Sequence, residues 1–275
     1  MTRLPHEMDR RPVEAVVIGS QLAYGSVGNN AIGRLLSEAG HRCVMVPTTL
    51  LSNLPHYEGV SGGSIPDEWL SGILDDLLRL EVLDPVRVIA IGYLSSPGQA
   101  AIIARWLVRF REVNENALIL VDPIMGDDDV GLYVAPEVAA SFAEHLLPLA
   151  NAITPNRFEL GVIAGKVPED LDEVCSQAEK LLSATTEWVV VTSAQDPRED
   201  NGIVLNVVLT DEATEVRGTE FEPSTAKGAG DLFVGHLLCG LFDDLEPLGL
   251  MAAVEASGAA VVAALSSATA HPELD

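Results

Sequence analysis

Apolar, largely β-branched runs recur along the chain at Ala15–Ile18, Cys43–Val46, Val86–Ile91, Leu118–Val121 and Trp188–Val191. Most are separated by stretches whose apolar residues fall at helical spacing, the pattern of βαβ units in a mostly parallel sheet. The helix predicted over Asn29–Glu38 ends at Gly40, a residue type favoured just past helix C-termini. A second begins at Pro66-Asp67-Glu68, where proline and acids suit a first turn, and runs to about Leu80. Near the end the pattern changes: Ile203–Leu209 and Thr214–Val216 read as a β-hairpin, and two helices follow from about Gly228. The expected fold class is therefore α/β, a doubly wound, mostly parallel sheet flanked by helices with an antiparallel edge. No repeat or low-complexity linker breaks the alternation, so residues 14–275 are expected to form one domain behind a frayed tail over residues 1–13.

Composition narrows the partners. The chain has 275 residues, 48% hydrophobic, enough for a substantial core. A formal net charge of -25 and a pI near 4.4 argue against nucleic acid or an anionic membrane as partner. The three cysteines, Cys43, Cys175 and Cys239, are widely spaced and suit a reducing cytosol, so a cytoplasmic protein is expected. Leu248–Leu265 is apolar but contains Glu255 and small residues, and reads as a packed helix rather than a membrane span. An anionic substrate would need local positive charge, which draws attention to the three lysines, Lys166, Lys180 and Lys227.

In a parallel α/β sheet, ligands bind beyond the carboxyl ends of the strands, and four loops there carry chemistry. In Lys227-Gly228-Ala229-Gly230-Asp231, small residues let successive backbone N–H groups approach an anion at the start of a helix, whose dipole favours negative charge. Asp231 is placed to take a proton from an attacking hydroxyl, as phosphoryl transfer requires. The plainer reading of these five residues is a glycine turn with an acidic helix start. Asp122–Asp127 follows the run Leu118–Val121, and Thr154–Glu159 follows Ala152-Ile153. Magnesium takes hard oxygen ligands, so Asp122 and Glu159 are candidates to hold a nucleotide–metal complex. Thr154 and Glu159 are explained equally well as a helix start. The run Asp127-Asp128-Asp129 is expected to be solvated. The fourth loop, Thr192-Ser193-Ala194, offers hydroxyl donors to phosphate. Lys227 offers a cation for the phosphates, or an amine able to form an imine with an aldehyde. No Walker loop, dinucleotide fingerprint, HExxH or Gly-x-Ser-x-Gly motif is present.

Together these loops resemble the ribokinase-like superfamily, and more narrowly the bacterial pyridoxal kinases, from about Glu14 to about Leu265. The narrower resemblance is carried by Ser20–Asn29, Pro47–Tyr57 and Ile65–Trp69. It implies that Ser20 hydrogen-bonds a pyridine substrate, that His56 covers it from a mobile flap, and that Tyr93 lies near the pocket. It further implies Asp231 as base, nucleotide contacts from Asp122, Thr154 and Thr192, and an anion hole from Gly228, Ala229 and Gly230. Glu159 and the backbone of Tyr133 would form a metal site for Mg²⁺ with ATP. A homodimer is implied, and an activating monovalent cation is left open. Two positions depart from the pattern, Ala229 where threonine is common and Leu54 where a small polar residue is common. The activity so implied is phosphorylation of pyridoxal. A hydroxymethylpyrimidine kinase and a B6-binding carrier without catalysis are the alternatives, the carrier being disfavoured by the intact Asp231, Glu159 and Gly-Ala-Gly set.

Overall fold

The computed structural model describes residues 8–195, 202–221, 227–243 and 247–269. Eleven strands and eight α-helices follow in the order β1 (Ala15–Leu22), α1 (Asn29–Glu38), β2 (Cys43–Leu51), β3 (Gly62–Ser64), α2 (Asp67–Arg79), β4 (Val88–Ile91), α3 (Pro97–Arg111) and β5 (Leu118–Val121) among these residues. Then come β6 (Gly126–Asp127), β7 (Gly131–Leu132), α4 (Pro136–Ser141), β8 (Ala152–Ile153), α5 (Arg157–Ala164), α6 (Leu171–Glu179) and β9 (Trp188–Val191). The hairpin β10 (Ile203–Thr210) and β11 (Thr214–Glu220) precedes α7 (Ala229–Asp243) and α8 (Pro247–Thr269).

Nine strands form one sheet in the order β11-β10-β9-β8-β5-β4-β1-β2-β3. The six strands from β9 to β2 run parallel, and the sheet is antiparallel at both edges rather than at one. The unexpected edge is β3, whose Gly-Gly-Ser sequence has no strand signal and pairs only with Thr49–Leu51.

The interior runs are apolar at consecutive positions because both faces are covered. Along β1, Val16 and Ile18 enter one core while Ala15 and Val17 enter another. The same alternation divides Ile89 and Ile91 from Val88 and Ala90, and Val189 and Val191 from Trp188 and Val190. The first core is closed by Leu70 and Leu74 of α2, Ile103 and Phe110 of α3 and Leu160 of α5. The second is closed by Ile32 and Leu36 of α1, Phe233 and Leu237 of α7, and Leu250 and Val254 of α8. By length and composition Gly249–Ser267 would suffice to cross a membrane, yet Leu250, Ala253 and Val254 are buried against α7.

Of the tail expected over residues 1–13, residues 1–7 lie outside the described residues. Asp9 and Arg11 are tied down, Arg11 donating to the Gly40 carbonyl at 2.8 Å, and Val13 is buried.

Candidate active site

The strand order reverses at β1: the chain leaves it for β2 on one side and returns to β4 on the other. Such a switch point leaves a crevice at the carboxyl ends of the two strands. Gly19 and Ser20 lie at this end of β1, and Gly92 and Tyr93 follow β4. The pairing of β1 with β2 slips between Gly19 and Ser20, with Gly19 opposite Pro47 and Ser20 opposite Thr49. A bulge there turns the Ser20 side chain relative to the strand below it. Pro47 is tolerated because β3 pairs only with the later residues of β2, leaving that side of Pro47 without a ladder.

Two glycines bring the rest of the crevice together. Gly28, with φ +55°, precedes α1 so closely against Ser20 that a Cβ would collide with the serine hydroxyl and carbonyl. Its backbone N–H donates to the Asp231 carboxylate, which lowers the pKa of a group that burial pushes up to about 6. Gly228, with φ +99°, packs on Val27 and Ser26 and starts α7, where Leu232 N–H donates to the Gly228 carbonyl at 2.9 Å. The N–H groups of Ala229, Gly230 and Asp231 therefore precede the first helical hydrogen bond. Ala229 lacks a hydroxyl but presents the same backbone donor as any residue there.

A second group of carboxylates sits beside this helix start. Asp122, directly after β5, accepts from Thr154 Oγ1 at 3.0 Å, and both are buried. Burial, then the charge of Asp231, pushes Asp122 up to about 8. Glu159 is buried too, and each of its oxygens accepts a backbone N–H, from Met125 at 3.0 Å and from Asn156 at 2.9 Å. Asn156 returns the bond by accepting Glu159 N–H at 2.8 Å, a complete capping box. The helix-start reading of Glu159 is thus satisfied in full. Burial and the Asp122 charge raise its pKa well above the usual carboxylate range. Tyr133 donates its backbone N–H to Met125 at 3.1 Å, and its phenol is raised by burial and by the charges of Glu159 and Asp122.

Buried carboxylates that repel one another are the donor chemistry a hard cation needs. Among the described residues no three acidic, histidine or cysteine side chains converge into a cage. Mg²⁺ commonly keeps its waters and is shared between one or two carboxylates and substrate phosphates, a role that Asp122 and Glu159 have the donor chemistry for.

Thr192, after β9, bridges Asn156: its N–H donates to the Pro155 carbonyl at 2.9 Å, and its carbonyl accepts from Arg157 at 3.2 Å. Tyr93 is half-buried, with its carbonyl held by Thr48 Oγ1 at 2.6 Å and its phenol raised by burial. His56 is exposed on the loop between β2 and β3, its ring 4.4 Å from that of Tyr57, which stands 6.2 Å from Tyr24. Leu54, on the same loop, is half-buried. Lys227 is exposed, and its Nζ lies 3.9 Å from Asp127.

Asp128 and Asp129 are exposed, as expected of a solvated run, and the β6–β7 hairpin also lets Asp128 pair at 2.9 Å with Arg157, which is buried. The Asn156 side chain also donates to the Gly126 carbonyl at 2.8 Å. Sequence reasoning missed Gly28, Asn156 and Arg157. Gly28 carried a signal, as the last residue of a glycine-rich loop between a strand and a helix, and so did Asn156, as the first residue of an Asn-x-x-Glu helix start.

A family model described as "Phosphomethylpyrimidine kinase" matches residues 62–272. The chain is also 40% identical over 253 residues to the pyridoxine/pyridoxal/pyridoxamine kinase of Bordetella avium, covering 92% of this chain and 84% of that relative. The chain belongs to this kinase family. Among solved structures, pyridoxal kinase from Leishmania donovani in complex with ADP and pyridoxine superimposes with a TM-score of 0.81 at 25% identity, covering 90% of this chain and 84% of that one. Pyridoxal kinase from Entamoeba histolytica gives 0.85 at 21% identity over 94% and 90% of the two chains and shares the fold. In this kinase the crevice between β1 and β4 and the carboxylates beyond β5 and β8 lie on one rim of the sheet, joined by the start of α7.

Proposed function

We propose that this chain transfers the γ-phosphoryl group of magnesium-ATP to the hydroxymethyl group of pyridoxal or a closely related B6 vitamer. The observation that carries the reading is Asp231. It stands in the first turn of α7, beside the backbone N–H groups that open the helix, in the same crevice as Gly19 and Tyr93, and Gly28 links it to Ser20. The kinship with kinases named for pyridoxine, pyridoxal and pyridoxamine supports the acceptor.

Each residue has a task on this reading. Ser20 and Tyr93 hold the pyridine at the end of β1 and β4, and His56 covers it from the loop above. Asp231 accepts the proton of the attacking hydroxyl. The N–H groups of Gly228, Ala229 and Gly230 receive the negative charge that grows on the transferring phosphoryl oxygens. Asp122, Thr154 and Thr192 border the nucleotide, and Lys227 is within side-chain reach of its phosphates once it leaves Asp127. Glu159 and the Tyr133 backbone would hold the metal ion through its waters, since both Glu159 oxygens already serve backbone donors. Bound Mg²⁺ would offset phosphate charge and fix the phosphate geometry. A cytoplasmic homodimer completes the proposal.

A second acceptor is favoured by one observation, the description of the matching family model. Purified protein with magnesium-ATP and a panel of pyridoxal, pyridoxine, pyridoxamine and hydroxymethylpyrimidine separates the readings. Formation of pyridoxal 5′-phosphate supports the proposal. Turnover of hydroxymethylpyrimidine with pyridoxal untouched replaces it with the second reading, and no turnover of any acceptor leaves the carrier.

A further inference from the structure

Asn29 opens α1 and is fully buried, with 0% of its surface exposed. Its Nδ2 donates to the Val46 carbonyl at 3.2 Å. A carbonyl can only accept, so this bond settles which end of the amide faces which way. Oδ1 is turned toward Gly19, where a Cβ would lie 3.0 Å from it. Among the described residues, this buried oxygen has no hydrogen-bond partner, and the same holds for Oδ1 of Asp231. Both residues line one cavity, at the switch point between β1 and β4.

A buried acceptor without a donor is costly, so two at one cavity point to an occupant that donates. The cavity offers about 10 Å³ to the centre of a water molecule, room for one. Its walls are otherwise mainly apolar, including Val17, Ile32, Ala90 and Val234, with Asp122 as a further carboxylate whose Oδ1 is already engaged by Thr154. Room for one water leaves no space for magnesium or calcium together with the waters that either would keep. A water has two hydrogens, and two acceptors wait for them.

We propose that Asn29 is a positioning residue for the base: one buried water donates to Asn29 Oδ1 and to Asp231 Oδ1 and fixes the plane of the carboxylate. The other carboxylate oxygen then faces the acceptor hydroxyl. Because Asn29 is itself anchored on Val46 of β2, the base is referenced to the strand paired with the one that carries Ser20. The inference rests on the reading of Asp231 as base, though the water can be sought without it.

A crystal structure of the wild-type protein fine enough to resolve waters is expected to show one within about 3 Å of both Oδ1 atoms. An empty cavity, or a water touching only one of the two, overturns the bridge. Asn29→Leu keeps the shape but removes the acceptor together with the donor to the Val46 carbonyl. It is expected to lower kcat by about 10–100-fold, as small misplacements of catalytic groups do, while KM for ATP and for the acceptor moves by less than about twofold. An unchanged kcat in the folded variant overturns the positioning role. Should the leucine variant not fold, the wild-type water still decides the bridge. Failure of the base reading looks different: Asp231→Asn would then retain activity, whatever the cavity holds.

Discussion

Gly28 touches two functional groups at once, its Cα packed on Ser20 and its N–H donated to the carboxylate of Asp231. Its φ of +55° is disfavoured for residues with a Cβ, and the space a Cβ would need is already taken by the Ser20 hydroxyl and carbonyl. A single residue before α1 thereby joins the end of β1 to the start of α7.

Gly28→Ala is expected to destabilise the protein by about 2 kcal/mol, from strained backbone and collision together. It should also lower kcat/KM by at least about 100-fold by moving Ser20 and Asp231 apart. Urea unfolding and steady-state kinetics on one preparation check both. Normal kinetics in a destabilised variant would restrict Gly28 to folding.

Asp231→Asn should keep substrate binding and lower kcat by on the order of 10²–10⁴. The wild-type profile follows from the carboxyl being held near 6: the base is ionised above that pH and protonated below it. The logarithm of kcat/KM is expected to fall with unit slope as the pH drops below about 6. A profile flat down to the ordinary carboxylate range would remove Asp231 from the role.

Asp122 makes a prediction about stability. Its folded pKa, about 8, lies above the ordinary 3.8, so folding favours its protonated form. The associated stability is fully present below the ordinary value and is lost progressively as the pH rises toward 8. Asp122→Asn cannot ionise and still accepts from Thr154. It is therefore expected to match wild type near pH 4 and to exceed it by on the order of 2 kcal/mol above pH 8, measured without nucleotide or metal. A constant difference across that range would sink the assignment.

Glu159 is tested by Glu159→Gln. The amide nitrogen would oppose one of the two backbone donors, Met125 or Asn156, at a cost of about 1–3 kcal/mol. If the carboxylate also serves the metal, the magnesium concentration for half-maximal rate should rise by about tenfold. Lost stability with an unchanged magnesium titration would leave Glu159 as a helix cap alone.

The sequence by itself determined the parallel strands and the loops that end them. Val88–Ile91, Leu118–Val121 and Trp188–Val191 announce burial on both faces through composition alone, and α2 starts where proline and acids predict. These signals are local. So was the signal of Gly228–Asp231, because a turn followed by a helix needs only neighbouring residues. The tertiary structure decided what meets across the chain. β3 forms because Leu51 offers an open edge to Gly62–Ser64, residues with no strand tendency of their own. Asp128 meets Arg157 because the hairpin carries it there, and Asn29 is buried because α1 lies between β2 and α7. Asp122 meets the charge of Asp231, and Glu159 that of Asp122, although the three come from separate loops. Coulombic coupling and desolvation depend on distance in space, which spacing along the chain does not encode until the sheet has set the strand order.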